Sequence, residues 1–497
     1  MIQTVRLFFQ NYPSLLLILS GAISALAFAP THSQFFAFIG FSSFFYHHVR
    51  KLENVKTAFW RGWFFGIGFN IASLYWIGNS FSTVDLWYLA PLGSICLPFT
   101  LAFFPAVVTA LTVKVTDAKM GRFFAFCLFW SLSEWLMGWI FTGFPWTLVG
   151  YMWDLPQLQA TAYIGIYGLS ALTIFMLISL GSRRGSFIGL SIFIWGCLWM
   201  GGNHRLSLYS TQETGVNMRI VQASISQKEK WQIEHFEDNL NRWIALSNLE
   251  SERPLKAIIW SESSVPTFVA DYPTIRYALT EAVPPDGYLI MGAPRKMVDS
   301  EEMHYYTSTL VLNDKSDIVA TYDKSHLVPF GEYIPFKKVL KFSKLTAGST
   351  DYSPGKGLMS LQLQGIPLFG PLICYEAIFS GAVVAPGVRP EWLLNQTNDA
   401  WYGKSSGPYQ HLAIVRTRAI EEGLPLIRSA NNGISAVIDP MGRIVHRLEL
   451  DEIGFIDFDL PKPLTIPTFF SRYQYLGFWL IVLAYAALTL LFRNKKD

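Results

Sequence analysis

The sequence predicts a multi-pass α-helical membrane part of eight transmembrane helices, with a layered α/β globular domain between the seventh and the eighth. Three observations carry this. The 497 residues are 51% hydrophobic and 16% aromatic but only 15% charged, too apolar for an ordinary soluble protein. The apolar residues gather in segments suited to crossing about 30 Å of hydrocarbon, which takes roughly 17 to 25 helical residues. One long interval, 216–460, instead carries charges throughout and alternates β-rich runs with helical ones.

The apolar segments are 14–29, 34–46, 58–77, 89–113, 123–141, 158–180, 186–200 and 473–492, of which the second and seventh are short. Helix is the expected form, because lipid offers no partner to an unpaired backbone group. Lys and Arg fall in alternate connections: Arg6, then Arg50, Lys51 and Lys56, then Lys114, Lys119 and Arg122, then Arg183 and Arg184, and finally Arg493, Lys495 and Lys496. The intervening loops near 31–33, 80–87 and 142–156 have none. By the positive-inside rule both termini are cytoplasmic and the globular domain lies outside. The first segment also has features of a secretory signal, with small residues at Ser24-Ala25-Leu26-Ala27. The expectation here is an uncleaved helix, giving three parts: 1–205 with seven helices, a globular domain 216–460 and a C-terminal helix 473–492.

The globular interval, about 245 residues, is large enough to bury its own core. Its β-rich runs are 218–224, 256–260, 288–293, 308–312, 366–370, 391–396, 424–430 and 434–440. One helical stretch spans 231–249; another opens at Gly407-Pro408, where proline suits a first turn, and stops before Gly423. Strands alternating with helices predict an α/β layered domain.

Of the four cysteines, Cys96, Cys127 and Cys197 fall in apolar segments, leaving Cys374 as the single thiol of the globular domain. By residue type alone it reads as a small buried hydrophobe. Its company argues otherwise. Glu262 follows the run KAIIW directly, a strand end where active-site groups of layered α/β domains commonly lie. Lys324 and Glu332 stand in YDKSHLVPFGE, Cys374 in LFGPLICYEAIF, and loop-like NDAWYG and SANNG follow. Glu262, Lys324 and Cys374 would supply a base, a cation and a nucleophile, because thiolate is the reactive form of cysteine and an ammonium stabilises a developing oxyanion. Singly, Glu262 reads equally well as a helix cap and Lys324 as a solvated charge. His326 and His411 show no metal-ligand spacing, and no phosphate loop, dinucleotide fingerprint or basic nucleic-acid stripe appears in the sequence.

Taken together these motifs resemble the carbon-nitrogen hydrolase (nitrilase) superfamily, an αββα sandwich with a Glu-Lys-Cys triad, here Glu262, Lys324 and Cys374. HLVPFGE, ICYE, NDAWYG and NNGIS, set between seven apolar segments and an eighth, are similar to the apolipoprotein N-acyltransferase family over essentially the whole chain. Two positions depart: Ser261 stands where proline is common before the glutamate, and Tyr402 where phenylalanine is usual.

What the resemblance implies is acyl transfer in the bacterial inner membrane, from a phospholipid to an S-diacylglyceryl apolipoprotein, by a periplasmic catalytic domain. It implies Glu332 as a second carboxylate near the triad, and Tyr375 and Glu376 as supports of the nucleophile loop. Trp231 corresponds to a tryptophan of a mobile loop near the substrate, against the alternative of a helix-start aromatic packed on the core. Asn398 and Asn431 would shape loops at the site. No cofactor is implied, since an ester already carries an activated acyl group, and nothing requires more than a monomer.

Overall fold

A computed structural model describes residues 13–83, 86–299, 302–335, 337 and 350–494. Arg6, Lys495 and Lys496 of the charge count lie outside the described residues. The chain divides into two compact units. One comprises Met1–Gly78, Leu89–Tyr209 and Thr468–Asp497, the other Asn79–Tyr88 and Ser210–Pro467.

The first unit is helical. Each apolar segment of the sequence coincides with helix: Pro13–Ser24, Gln34–His48, Val55–Leu74, Ala90–Leu101 with Phe103–Val115, Lys119–Met137, Thr161–Ser182, Gly185–Leu208 and Leu476–Phe492. Among the described residues, 3 helical runs are long and apolar enough to cross a membrane: Trp87–Val115, Thr161–Ser182 and Gly185–Leu208. Pro13–Ala27 and Leu476–Phe492 are shorter apolar helices. The seventh segment, apolar only to Met200, continues as helix to Leu208. Helical backbone bonds are local and do not need the face to stay apolar, and buried Arg205 there bonds the Gln159 side chain. Helices 13–24 and 55–74 approach backbone to backbone: a Cβ added at Gly21 would sit 2.0 Å from the Phe65 carbonyl oxygen. Small residues permit such contact between apolar helices.

The second unit is built on β1 (Glu213–Gln222), β2 (Ala257–Ile259), β3 (Tyr288–Asp299), β4 (Glu302–Asn313), β5 (Ile318–Asp323), β6 (Leu361–Leu363), β7 (Ile366–Ile373), β8 (Trp392–Thr397), β9 (Leu426–Ala430), β10 (Ser435–Ile438), β11 (Ile444–Leu448) and β12 (Gly454–Pro461). They form two six-stranded sheets, ordered β12-β1-β2-β3-β4-β5 and β11-β10-β9-β8-β7-β6. The middle of each sheet is parallel, β1-β2-β3 and β7-β8-β9, and its flanks are antiparallel.

Alternate residues of both sheets meet in one core that includes Ile220, Ile259, Ile290, Phe369, Ile373, Trp392 and Ile427. The opposite face of the first sheet buries Ile258 and Leu289 against Trp243 of helix Phe236–Ser247 and Leu279 of helix Pro273–Leu279. The opposite face of the second buries Leu393 and Leu426 against Val415 and Ala419 of helix Gly407–Glu422. The result is a helix–sheet–sheet–helix sandwich, and central strands covered on both faces explain the nearly continuous apolar runs. The predicted helix 231–249 is shorter at its start: residues 233–235 form a separate 3-10 turn before the helix proper.

Candidate active site

Groups at the carboxyl ends of parallel strands converge here. Glu262 follows β2, Cys374 follows β7, Asn398 follows β8 and Asn431 follows β9, while Lys324 follows the antiparallel strand β5. Lys324 Nζ lies 3.6 Å from Glu262 Oε1 and 3.0 Å from Glu332 Oε2. The Cys374 thiol hydrogen-bonds the Glu262 carboxylate and the Thr397 side chain. All of these are buried, with Lys324 only 1% exposed, so their charges act on one another with little screening by water.

The cysteine sits on a sharp bend. β7 ends at Ile373, Cys374 adopts a left-handed φ of 51°, and a 3-10 turn runs Cys374–Ile378. For a residue with a Cβ this conformation costs on the order of 1 kcal/mol and is found where surrounding contacts hold it. The Cys374 carbonyl accepts a hydrogen bond from Asn395 Nδ2 at 3.4 Å. Behind it Arg428 donates to Asp399 Oδ2 at 2.6 Å, and His411 Nδ1 lies 3.0 Å from Asp399 Oδ1.

Glu376 joins the two loops of the site. Its Oε2 accepts from Ile373 N–H at 2.7 Å, and its Oε1 from Ser325 N–H at 2.7 Å, Ser325 Oγ at 2.8 Å, His326 N–H at 3.1 Å and Tyr322 OH at 2.7 Å. The neighbours of the lysine and of the cysteine thus share one carboxylate. Glu332 orders the other side of Lys324, accepting from Val328 N–H at 2.8 Å and Thr307 Oγ1 at 3.2 Å. Tyr375 is buried with its ring 5.7 Å from His326, whose ring in turn lies 4.2 Å from Phe379, so this histidine packs against the turn that follows Cys374.

A glycine makes room for the glutamate. A Cβ at Gly292 of β3 would fall 2.4 Å from Ser263 N and 2.7 Å from Glu262 Cα, so only glycine lets the Glu262 loop cross β3 this closely. Asn398 donates from Nδ2 to Gln227 Oε1 at 2.8 Å and accepts from Asn431 Nδ2 at 3.2 Å, and Asn431 brackets the Ile225 backbone. Both asparagines therefore hold the segment leading to Trp231. Trp231 is 37% exposed and so is not a core anchor.

Burial pushes the Cys374 thiol up to about 12, with the Glu262 charge adding to it and Lys324 opposing it. Burial likewise raises Glu262, Lys324 pulls it back down, and Glu332 raises it further, leaving a carboxylate more basic than usual. For Lys324 burial works against the charge, but Glu332 and Glu262 together outweigh it and hold the ammonium protonated. The resting arrangement is a neutral thiol, a basic carboxylate within reach of its proton, and a fixed cation.

Sequence reasoning passed over Lys230, Thr397 and the Asp399–His411–Arg428 cluster. Lys230 is 3% exposed and donates from Nζ to the Glu262 backbone carbonyl at 3.1 Å. Its place inside the polar run SQKEK resembles a solvated face; the one available signal is its position directly before Trp231, between the predicted strand 218–224 and the predicted helix 231–249. The loop expected near 80–87 falls within Asn79–Tyr88, which groups with this unit, and Asn79 Nδ2 donates to the Tyr402 carbonyl at 2.7 Å.

The four-layer sandwich with glutamate, lysine and cysteine at its strand ends defines a carbon-nitrogen hydrolase, and residues 218–468 match the family so described. Residues 20–179 match the Apolipoprotein N-acyltransferase N-terminal domain. Proteins named apolipoprotein N-acyltransferase are similar over nearly the full length: that of Rickettsia typhi is 38% identical over 92% of this chain and 93% of its own. That of Rhodopseudomonas palustris is 35% identical over 92% and 90%, and that of Brucella melitensis 38% over 81% and 79%. A solved amidase from Nesterenkonia sp. is 18% identical over 50% of this chain and 92% of its own, with a TM-score of 0.37. The chain belongs to the apolipoprotein N-acyltransferase family, and it is an enzyme of the acyltransferase class.

Proposed function

We propose that the chain transfers an acyl group from a phospholipid, through a thioester on Cys374, to the α-amino group of the N-terminal S-diacylglyceryl-cysteine of an apolipoprotein. The observation that carries this is the buried meeting of Glu262, Lys324 and Cys374, in a chain whose relatives bear that activity in their names. In the first half-reaction Cys374 sulfur attacks the ester carbonyl while its proton passes to Glu262. Lys324 balances the charge on the carbonyl oxygen. The ester C–O bond then breaks, Glu262 returns the proton to the leaving oxygen, and lysophospholipid departs. In the second, the acceptor amine attacks the thioester, Glu262 takes a proton from the nitrogen, and the thiol is regenerated.

Glu332 fixes Lys324, Tyr375 and Glu376 hold the nucleophile loop, and Asn398 supports the segment bearing Trp231, which faces the substrate. Both substrates carry long chains, and each methylene moved into water costs about 0.8 kcal/mol. This favours a site fed from the lipid phase. The accompanying topology has eight transmembrane helices, both termini in the cytoplasm and residues 216–460 as a periplasmic catalytic domain at the bacterial inner membrane, in a monomer. The test incubates purified full-length protein with phospholipid and a diacylglyceryl-cysteine peptide. N-acylated peptide, an acyl adduct on Cys374 by intact mass, and the loss of both in Cys374→Ala are expected. Peptide acylation equal in Cys374→Ala and wild type would refute the reading.

A further inference from the structure

Lys230 is a buried charge that the two half-reactions above leave unused. It ends the short helix Gln227–Lys230, which begins at Ser226 with the side chain accepting from Glu229 N–H at 3.3 Å. An ammonium has three donors. Among the described residues the Glu262 carbonyl, at 3.1 Å, is its one hydrogen-bond acceptor. A cation is costly to bury unless a compensating charge is near, and here that charge is Glu262.

The charge arithmetic of the site gives this lysine a purpose. Glu262 is faced by Lys324, Glu332, Lys230 and the Cys374 thiol, with Tyr352 and Tyr402 in electrostatic reach. Glu332 opposes ionisation of Glu262 and also draws Lys324, which stands 3.0 Å from Glu332 but 3.6 Å from Glu262. One ammonium would thus be shared between two carboxylates. Counting Glu262 and the charged groups that face it, Lys230 brings the balance to two cations against two carboxylates, so that proton transfer from Cys374 to Glu262 occurs beside matched charges. Burial holds Lys230 down at about 8 and Glu262 pulls it back up, so it stays charged at neutral pH.

We infer that Lys230 is a positioning residue for the base: its Nζ anchors the Glu262 backbone, and its charge keeps the Glu262 carboxylate ionised to receive the Cys374 proton. This rests on the reading of Glu262 as general base. The same anchor fixes the start of the segment that carries Trp231.

The experiment measures the initial rate of Cys374 acylation by intact mass, with full-length protein, phosphatidylethanolamine in detergent micelles and no acceptor, between about pH 5 and 9, a range that brackets an upshifted carboxylate. Lys230→Gln keeps a donor for the carbonyl but removes the charge, Lys230→Met removes both, and Lys230→Arg keeps the charge. Removing the cation makes Glu262 easier to protonate, so the acid limb of Lys230→Gln and Lys230→Met is expected to move up by about one pH unit. On the acid side the rate then falls about tenfold. Lys230→Arg is expected to return the limb toward wild type. A Lys230→Gln limb coincident with wild type overturns the inference, whether or not Lys230→Met folds. Absence of any acyl adduct in wild type instead refutes the underlying reading of the site, so the two failures are distinct.

Discussion

Glu376 accepts a hydrogen bond from the Ser325 backbone N–H at 2.7 Å, which binds the residue after the lysine to the second residue after the cysteine. The same carboxylate holds Ile373, Tyr322 and His326, so the spacing of Lys324 and Cys374 depends on a side chain that touches neither reacting atom. Glu376→Gln replaces one accepting oxygen by a donor and leaves several buried N–H and O–H groups unpaired. Hydrogen bonds to a charged group contribute about 1.5–3 kcal/mol each. A fall of at least about tenfold in the rate of Cys374 acylation is expected on that scale, together with a lower melting temperature. Wild-type rate in Glu376→Gln would show that the lysine and cysteine loops are held by something else.

Glu332→Gln should move the pH profile in the direction opposite to loss of Lys230. Glu332 raises Glu262 by like-charge repulsion, so removing its charge lowers the Glu262 pKa and carries the acid limb of acylation to lower pH. Lys324, deprived of the larger of its two carboxylate partners, also loses its proton at lower pH, and activity at the alkaline end drops earlier. The pH dependence of lysophospholipid release measures both shifts.

Asp399 carries a stability prediction. Burial works against its charge, yet Arg428 and His411 hold its carboxyl down at about 2. Its folded value is below the unfolded one, so its contribution is present above about pH 4 and is lost as pH falls toward 2. Asp399→Asn leaves the fully buried Arg428 without its anion, which costs about 3–5 kcal/mol for a broken buried pair. Thermal unfolding at neutral pH should show that loss, and a melting temperature equal to wild type would exclude it.

Gly292→Ala separates local geometry from stability. The added methyl would lie 2.4 Å from Ser263 N, against about 3.4 Å for ordinary contact, so the loop must shift by about 1 Å. On the proposed role of Glu262, misplacement on that scale is expected to lower the acylation rate by about a hundredfold. A folded Gly292→Ala protein with wild-type kinetics would contradict the packing described.

Legibility followed burial. The eight strands read from the sequence are the interior strands of the two sheets, whose side chains are covered on both faces and so form apolar runs. The four that went unread, β5, β6, β11 and β12, are the sheet edges. Edge strands face solvent along part of their length, as the mostly exposed β11 does, and their mixed polarity resembles a loop.

Similarly, Glu262, Lys324 and Cys374 stood out because reactive residue types followed apolar runs, whereas Lys230 sat in a charged stretch that hid its burial. Composition and periodicity by themselves determined the apolar helices, the α/β layers and the residue types available for acyl transfer, because these are properties of short windows of chain. Tertiary structure alone decided that Glu376 ties two loops 51 residues apart, that Lys324 is shared between two carboxylates, and that Lys230 holds the Glu262 backbone. Those are long-range encounters set by how the sheets pair and stack, and no local pattern encodes the distance between their ends.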